Sequence, residues 1–236
     1  MTGLAIITGA SSGIGAATGA AFLESGFDVI NVARRPCPVA GVENLPSDLS
    51  DPGSVASLAT ALSQRLGQQA PETVCLVHNA ALMLKDTATS TESDDLTRVL
   101  QINVQAINSL NKALLPCLPA SSSVIFVGST LSEKAVKGAF SYIVSKHAQL
   151  GMMRATCQDL MGSGVHTALV CPGFTDTEML RNHIGNDQQV VEAIGAMNSF
   201  GRLVRPEEIA QLIHWSHHNP VINGAVLHGN LGQEER

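Results

Sequence analysis

Short apolar segments alternate with longer helical patterns along the whole chain, and this alternation restricts the fold more than any other feature. Most of the segments are rich in Val, Ile or Leu and lack polar alternation, which is typical of strands covered on both faces. Regular alternation of strand and helix predicts βαβ units, with a parallel sheet between two layers of helices. The predicted strands are residues 4–8, 29–33, 73–78, 124–128, 165–171 and 225–228. The predicted helices are residues 15–25, 52–66, 94–115, 141–161 and 206–217.

Length and composition favour a single α/β domain over residues 1–236. Apolar residues make up 44% of the chain and charged residues only 14%, which excludes an intrinsically disordered protein. No apolar run approaches the ~18 residues of a membrane span. With 3% aromatic residues and a net charge of −6, the chain lacks the stacking platforms and basic clusters of nucleic-acid-binding proteins. We therefore expect neither a membrane nor a nucleic acid as a partner.

The cysteines and the N-terminus predict a cytoplasmic protein. The five cysteines are scattered and contain no CxxC pair, which is typical of buried side chains in a reducing compartment rather than of disulfides or a zinc site. The apolar stretch at the N-terminus is too short for a signal peptide. His214 and His218 are spaced for a shared metal ion, but no third ligand accompanies them, so we expect no metal site.

A glycine-rich turn, residues 8–15, follows the first predicted strand and opens the first predicted helix. Its sequence is Thr-Gly-Ala-Ser-Ser-Gly-Ile-Gly. Glycines allow a tight turn and let backbone N–H groups approach a pyrophosphate at a helix N-terminus. An ordinary glycine turn is the alternative, but dinucleotides bind at the first βα junction of such a sheet. We predict a dinucleotide site formed by Gly9, Ser11, Ser12, Gly13, Ile14 and Gly15.

The end of the second predicted strand indicates which dinucleotide is bound. In NAD-binding proteins an Asp or Glu about 20 residues beyond the glycine turn bonds the ribose 2′-hydroxyl. Asp28 lies at the wrong end of this strand, and the other end carries Arg34 and Arg35. Guanidinium groups suit a 2′-phosphate through forked, charge-assisted hydrogen bonds. We therefore predict NADP(H) as the cofactor rather than NAD, with solvated loop arginines as the alternative interpretation.

Tyr142 and Lys146 lie four residues apart, on one face of a predicted helix. A free tyrosine has a pKa near ~10 and needs a neighbour in order to exchange protons with a substrate at neutral pH. Lys146 would favour the phenolate and hold the nicotinamide ribose. Ser129 ends the strand 124–128 and would hydrogen-bond the substrate oxygen beside the phenol. A surface tyrosine packed on the lysine stem is the alternative.

These motifs together resemble the short-chain dehydrogenase/reductase family over essentially the entire chain. The resemblance implies a doubly wound Rossmann-type domain with a seven-stranded parallel sheet and a nicotinamide cofactor. It also implies Tyr142 as general acid/base, Lys146 as the group that lowers its pKa and binds ribose, and Ser129 as the group that orients the carbonyl or carbinol. The matching segments are residues 8–15, Asn79-Ala80-Ala81, Asn103, Ser129, Tyr142 with Lys146, and Pro172-Gly173.

The resemblance assigns further residues to the site. Asn103 matches an asparagine that helps to hold a water in a proton relay to the lysine, and an ordinary polar helix residue is the alternative. Asp48 matches an acid that contacts adenine, with a capping role as the alternative. Thr177 matches the hydroxyl residue near the carboxamide if the loop keeps the family register, and Thr175 is its rival. The other implied cofactor contacts are Leu49, Asn79, Ala80, Pro172 and Gly173.

Two departures from the family pattern affect the backbone near the site. The last glycine of the family's Asn-Asn-Ala-Gly segment is Ala81 here, and an alanine is tolerated at that position if its φ is negative. The family's C-terminal Asp-Gly-Gly segment is replaced by His228-Gly229-Asn230. None of the four catalytic positions is altered. We therefore predict an active oxidoreductase, and a catalytically silent NADP-binding regulatory protein is the alternative.

Two variable segments, residues 130–140 and about 174–204, are predicted to wall the substrate pocket. The apolar side chains of the second segment would suit a mobile lid, and packing within a short pair of helices is the alternative. We expect a small or apolar carbonyl compound or alcohol as substrate. The family resemblance also implies a homodimer or homotetramer. The apolar lid residues are Phe174, Met179, Leu180, Ile184, Met197 and Phe200.

Overall fold

The computed structural model describes residues 3–185 and 187–234, so parts of the predicted domain at both termini and Asn186 of the predicted lid lie outside the described residues. Seven parallel strands form one sheet in the order β3-β2-β1-β4-β5-β6-β7. The strands are β1 Gly3–Thr8, β2 Asp28–Ala33, β3 Glu43–Pro46, β4 Thr73–His78, β5 Ser123–Val127, β6 His166–Pro172 and β7 Ala225–Gly229. The helices are α1 Gly13–Glu24, α2 Pro52–Gln69, α3 Ser93–Leu100, α4 Ala106–Leu114, α5 Phe140–Asp159, α6 Glu178–Ile184, α7 Gln188–Gly195 and α8 Pro206–His217.

The central strands supply side chains to two separate cores, because successive residues of a strand point to opposite faces of the sheet. In β1, Leu4 and Ile6 join the core formed with α2, α4 and α5. Ala5 and Ile7 join the other core, formed with α1 and α8. A strand covered on both faces needs no polar alternation, which explains the apolar segments of the sequence. The predicted doubly wound parallel fold is confirmed.

β3 is the strand that the apolar pattern does not predict. Its four residues, Glu-Asn-Leu-Pro, are mostly exposed, and it pairs only with β2 at the edge of the sheet. The Asn44 side-chain oxygen accepts hydrogen bonds from the Cys37 backbone N at 2.7 Å and from Asn31 Nδ2 at 2.9 Å. Pairing and these polar contacts hold the strand, so its sequence carries no signal of burial.

The predicted helix 94–115 is interrupted. Between α3 and α4 lies a π-helical turn, Gln101–Gln105, in which Ala106 N bonds to the carbonyl of Gln101. Such turns widen a helix and occur frequently at functional sites. A 3₁₀ turn, Leu115–Cys117, then follows α4. Among residues 3–185 and 187–234, no helix has the length and apolar character needed to cross a membrane.

The sheet order reverses between β1 and β4, and this switch point defines where the site lies. In open α/β sheets, ligands bind in the crevice beyond the carboxyl ends of the strands at such a point. The glycine turn follows β1, Asn79 follows β4, and Ser129 lies just beyond β5. The fold therefore brings motifs that are far apart in the sequence together at the carboxyl ends of the strands.

Two buried histidines predict that the protein loses stability in mild acid. Burial lowers the pKa of His78, at the end of β4, to about 4 and that of His217, in α8, to about 3. An unfolded histidine titrates near ~6.5, so below that pH protons bind preferentially to the unfolded chain. The loss grows as the pH falls toward the folded pKa values. Each histidine should cost on the order of 2 kcal/mol of unfolding free energy at pH ~5.

Urea unfolding at pH 7 and at pH 5 measures this loss. His78→Gln keeps a polar group beside Asn111, whose Oδ1 contacts the His78 ring, and should remove about half of the two-histidine effect. The matched control His147→Gln changes an exposed position of α5 and should leave the pH dependence as in the wild type. An unchanged pH dependence in His78→Gln would contradict the prediction.

Candidate active site

The turn between β1 and α1 has the backbone geometry of an anion-binding loop. Gly9 and Gly13 have φ values of +75° and +53°, which residues other than glycine rarely adopt. A Cβ on Gly15 would overlap the Gly9 carbonyl oxygen. Within the described residues, the Ser12 side chain makes no capping hydrogen bond to α1. The first N–H groups of α1 therefore lack a side-chain cap at the place where a phosphate would bind.

Hydrogen bonds tie the end of β4 to this loop. Thr8 Oγ1 accepts hydrogen bonds from the backbone N atoms of Asn79 and Ala80, both at 3.0 Å. Asn79 Nδ2 donates to the carbonyl oxygens of Thr8 at 3.0 Å and Gly9 at 3.1 Å. The predicted residues Asn79 and Ala80 thus lie directly beside the phosphate loop. Ala81 is not among the non-glycine residues with positive φ in the described chain, which meets the condition for replacing the family glycine.

Arg34, Arg35 and Asp48 lie together beyond the ends of β2 and β3. Hydrogen bonds from the Ser50 side chain and backbone hold the pKa of Asp48 below its usual value, and the positive charge of Arg34 lowers it further. Arg35 Nη2 lies 3.0 Å from Glu178 Oε2, and both side chains are more than half exposed. The predicted 2′-phosphate residues are thus solvent-accessible. Asp48 accepts hydrogen bonds from Ser50 within the loop, whereas Asp51 caps α2.

The loop after β6 separates the two candidate threonines. Thr177 packs over the phosphate loop, because a Cβ on Gly13 would lie 3.0 Å from Thr177 Cγ2. The Thr175 side chain is buried, and its hydroxyl donates to the Gly173 carbonyl at 3.0 Å. The geometry therefore favours Thr177 as the cofactor contact.

The Tyr142 hydroxyl lies beside the side chain of Ser129, which acts on its pKa as a hydrogen-bonding neighbour. Ser129 Oγ is fixed in turn by the backbone N of Leu131, which donates to it at 3.1 Å. Burial raises the pKa of Tyr142, and the Ser129 hydrogen bond opposes that shift. The phenol is therefore protonated at neutral pH and already paired with the serine that sequence analysis placed beside it.

The Lys146 ammonium lies near Tyr142 and is held by two oxygen acceptors. Its ammonium donates to the Val127 carbonyl at 2.7 Å and to Gln149 Oε1 at 3.0 Å, and it lies 5.4 Å from the centre of the Tyr142 ring. Burial lowers the pKa of Lys146 to about 7, so its charge is partly lost near neutral pH.

Asn103 lies on the π turn, and three hydrogen bonds hold its side chain in place. Its Oδ1 accepts from Leu82 N at 2.8 Å, and its Nδ2 donates to Leu82 O and Ser145 Oγ, each at 2.9 Å. Ser145 donates onward to the Tyr142 carbonyl at 2.7 Å. Asn103 is therefore part of a network that positions the catalytic helix, which distinguishes it from an ordinary polar helix residue.

Sequence reasoning missed two residues that support this helix. Asp86 Oδ1 accepts a hydrogen bond from Ser141 N at 3.1 Å, which caps the start of α5 from a distant loop. Gln149 joins Lys146 to the π turn. Neither residue belongs to a recognisable motif, and their partners lie 55 and 46 residues away in the chain. No local sequence pattern would have identified them.

Removing the Asp86 cap should lower both stability and activity. Asp86→Ala leaves Ser141 N without its acceptor one residue before Tyr142, and we expect a loss of about 1 kcal/mol in unfolding free energy with a kcat about tenfold lower. Urea unfolding and initial rates measure the two effects. The control Asp159→Ala, at the exposed far end of α5, should change neither appreciably. Wild-type kcat in Asp86→Ala would contradict this role.

The two segments predicted to wall the substrate pocket lie in the described structure, apart from Asn186. Residues 174–204 contain the helix pair α6 and α7, in which Met179 is exposed, and Phe200 is exposed beyond α7. On the other wall, Glu133 Oε2 pairs with His228 Nε2 at 3.0 Å. The segment that replaces the family's Asp-Gly-Gly thus joins the loop after β5, and its Gly229 carbonyl accepts from Gly173 N at 3.0 Å.

Comparison with known proteins places this site in a family. Residues 9–233 match a family described as "Enoyl-(Acyl carrier protein) reductase". The chain is 32% identical, over 89% of its length and 86% of the relative's, to the rhamnolipids biosynthesis 3-oxoacyl-[acyl-carrier-protein] reductase of Pseudomonas aeruginosa. A solved structure described as the Pseudomonas aeruginosa RhlG/NADP active-site complex superimposes with a TM-score of 0.85 at 28% identity, covering 97% of this chain and 95% of that one.

A second solved structure shows the same fold at lower identity. The short chain dehydrogenase family protein from Francisella tularensis has a TM-score of 0.88 at 23% identity, with 98% of both chains covered. The near-complete family match, the seven-stranded parallel sheet and the ordered motifs agree with one another. The chain belongs to the short-chain dehydrogenase/reductase family of oxidoreductases, which act on CH–OH and C=O groups.

Proposed function

We propose that this protein reduces a small or apolar carbonyl compound with NADPH. The observation that carries the proposal is the buried Tyr142 phenol next to Ser129, with Lys146 5.4 Å from its ring, beyond the strand ends at the switch point of the sheet. The exposed guanidinium groups of Arg34 and Arg35 support NADP(H) over NAD. The 28% identical Pseudomonas aeruginosa structure is an NADP complex, which supports the same choice.

The residues of the chain have distinct roles in this reaction. Tyr142, which is protonated at neutral pH, donates a proton to the carbonyl oxygen. Ser129 orients the same oxygen by a hydrogen bond, and Lys146 and Asn103 hold the helix and the proton-transfer groups in register. The phosphate loop, with Thr177 over it, would hold the nucleotide. The bound cofactor supplies the hydride.

The predicted pocket walls and the relatives support a substrate class. Met179 and Phe200 are exposed apolar side chains in the predicted lid segment, and such side chains would suit an acyl chain. The 32% identical relative is named for reduction of a 3-oxoacyl thioester. We propose 3-oxoacyl thioesters as the first substrates to test, within the broader class of small or apolar ketones, aldehydes and alcohols.

A panel assay that follows NADPH absorbance tests this function. We expect turnover with at least one short 3-oxoacyl thioester or apolar ketone, and slower turnover when NADH replaces NADPH. Binding of NADPH without turnover of any panel member would favour the alternative, a catalytically silent NADP-binding protein. Equal rates with both cofactors would remove the case for a 2′-phosphate site.

The same proposal includes three further properties of this protein. These are a single domain over residues 1–236 with a lid near residues 174–204, a homodimer or homotetramer, and a cytoplasmic location. Light scattering during size-exclusion chromatography tests the oligomer. Limited proteolysis with and without NADPH tests the lid, because a segment that closes over the cofactor should become protected.

A further inference from the structure

The Gln149 side chain lies fully buried between Lys146 and the π turn. Its Oε1 accepts a hydrogen bond from Lys146 Nζ at 3.0 Å, and its Nε2 donates to the main-chain carbonyl of Asn103 at 2.7 Å. One amide thus connects two of the four catalytic residues. A buried amide satisfied at both ends is held in a single orientation, because either broken bond would leave a polar group without water or partner.

The Asn103 end of this connection is a fixed point. The side chain of Asn103 bonds both backbone groups of Leu82 and the Ser145 hydroxyl, at 2.8–2.9 Å. The π turn that carries it packs against α5. These hydrogen bonds hold the main-chain carbonyl of Asn103 in place. The carbonyl therefore fixes the Gln149 amide, and the amide in turn sets the position of the Lys146 ammonium.

The Lys146 end needs such a partner. A buried ammonium is disfavoured by desolvation, and oxygen acceptors restore its charged form. The side chain of Lys146 is 1% exposed, and Val127 O and Gln149 Oε1 accept its hydrogen bonds. Of these two acceptors, Gln149 Oε1 belongs to a side chain, so a substitution can remove it without altering the backbone.

We propose that Gln149 is a positioning residue for Lys146, which fixes the ammonium between the π turn and Tyr142 and favours its charged form. This inference rests on the proposed function in one respect, the participation of Lys146 in catalysis. The alternative is a purely structural role, in which the amide only joins α5 to the π turn. The two roles differ in the titration of Lys146, which a structural role would not move.

The groups that face the ammonium keep the titration simple. Tyr142 lies on the same helix and Cys171 on β6. Burial raises the pKa of both, that of Cys171 to about 11, so both stay neutral near pH 7. Glu133, beyond the turn after β5, influences Cys171. The π turn contributes uncharged side chains, Gln-Ile-Asn-Val-Gln.

The experiment compares Gln149→Leu, Gln149→Glu and the control Gln158→Leu, which changes an exposed glutamine on the same helix. In the full-length protein, side-chain-labelled lysines are titrated by NMR, with the Lys146 signal assigned by its loss in Lys146→Met. We expect the Lys146 midpoint to fall by about one pH unit in Gln149→Leu and to rise by about one in Gln149→Glu. The control should match the wild type.

Steady-state kinetics then link the titration to the reaction. We expect kcat of Gln149→Leu to fall by about tenfold near neutral pH, with the substrate KM within about twofold of wild type. The alkaline limb of its pH profile should move to lower pH. Gln149→Glu retains the side-chain volume and the acceptor for Lys146 and loses the donor to the Asn103 carbonyl, so it keeps the comparison possible if Gln149→Leu does not fold.

The outcomes separate the two proposals. An unchanged Lys146 midpoint in folded Gln149 variants overturns the positioning role, even where stability or activity falls. The expected midpoint shifts support it without any assay of turnover. If the wild type reduces no carbonyl compound, the proposed function fails while the NMR titration still decides the role of Gln149.

Discussion

Tyr142→Phe is expected to lower kcat by about 10²–10⁴-fold, the range in which general acid catalysis contributes. The substitution removes one oxygen from the only tyrosine of the chain, and with it the proposed proton donor beside Ser129. Because the ring stays in place, the substrate KM and NADPH affinity should stay within about threefold of wild type. Stopped-flow or steady-state NADPH oxidation measures kcat, and thermal shift with NADPH measures cofactor binding.

The size of the loss distinguishes Tyr142 from its neighbours. Ser129→Ala removes the hydrogen bond that opposes the pKa shift of Tyr142 but leaves the proton donor, so its kcat should fall less than that of Tyr142→Phe. A Tyr142→Phe variant that keeps a tenth or more of the wild-type rate would show that another group supplies the proton.

Replacing Arg34 and Arg35 together with Ser should weaken NADPH binding by about 10²-fold and leave NADH binding unchanged. Each hydrogen bond to a charged group contributes about 1.5–3 kcal/mol, and the two exposed guanidinium groups flank the predicted 2′-phosphate position. The ion pair of Arg35 with Glu178 does not block this role, because a pair so exposed is worth little. Thermal-shift or fluorescence titration with each cofactor measures both affinities.

Two further variants test the specificity of that effect. Arg154→Ser removes an exposed positive charge from α5, far along the chain from the glycine turn, and should alter neither affinity. Glu178→Gln frees Arg35 from its competing carboxylate and should strengthen NADPH binding by a few-fold. Parallel weakening of NADPH and NADH in the double Arg variant would mean that the arginines support the loop rather than recognise a phosphate.

The sequence by itself predicted what depends on neighbouring residues. The sequence predicts the glycine turn because the turn requires glycine at three positions: Gly9 and Gly13 adopt positive φ, and Gly15 approaches the Gly9 carbonyl. The sequence predicts that Tyr142 and Lys146 lie together because a helix brings residues four apart onto one face. The doubly wound sheet is readable because strands covered on both faces are apolar throughout.

The tertiary structure decided what depends on contacts between distant segments. β3 is held by pairing and by Asn44 rather than by burial, so no apolar pattern marks it. The cap from Asp86 and the bridge from Gln149 join residues 55 and 46 positions apart, a relation that only folding creates. The direction of the Tyr142 pKa shift likewise follows from burial, because the water that surrounds a side chain is removed by packing and not by its neighbours in the chain.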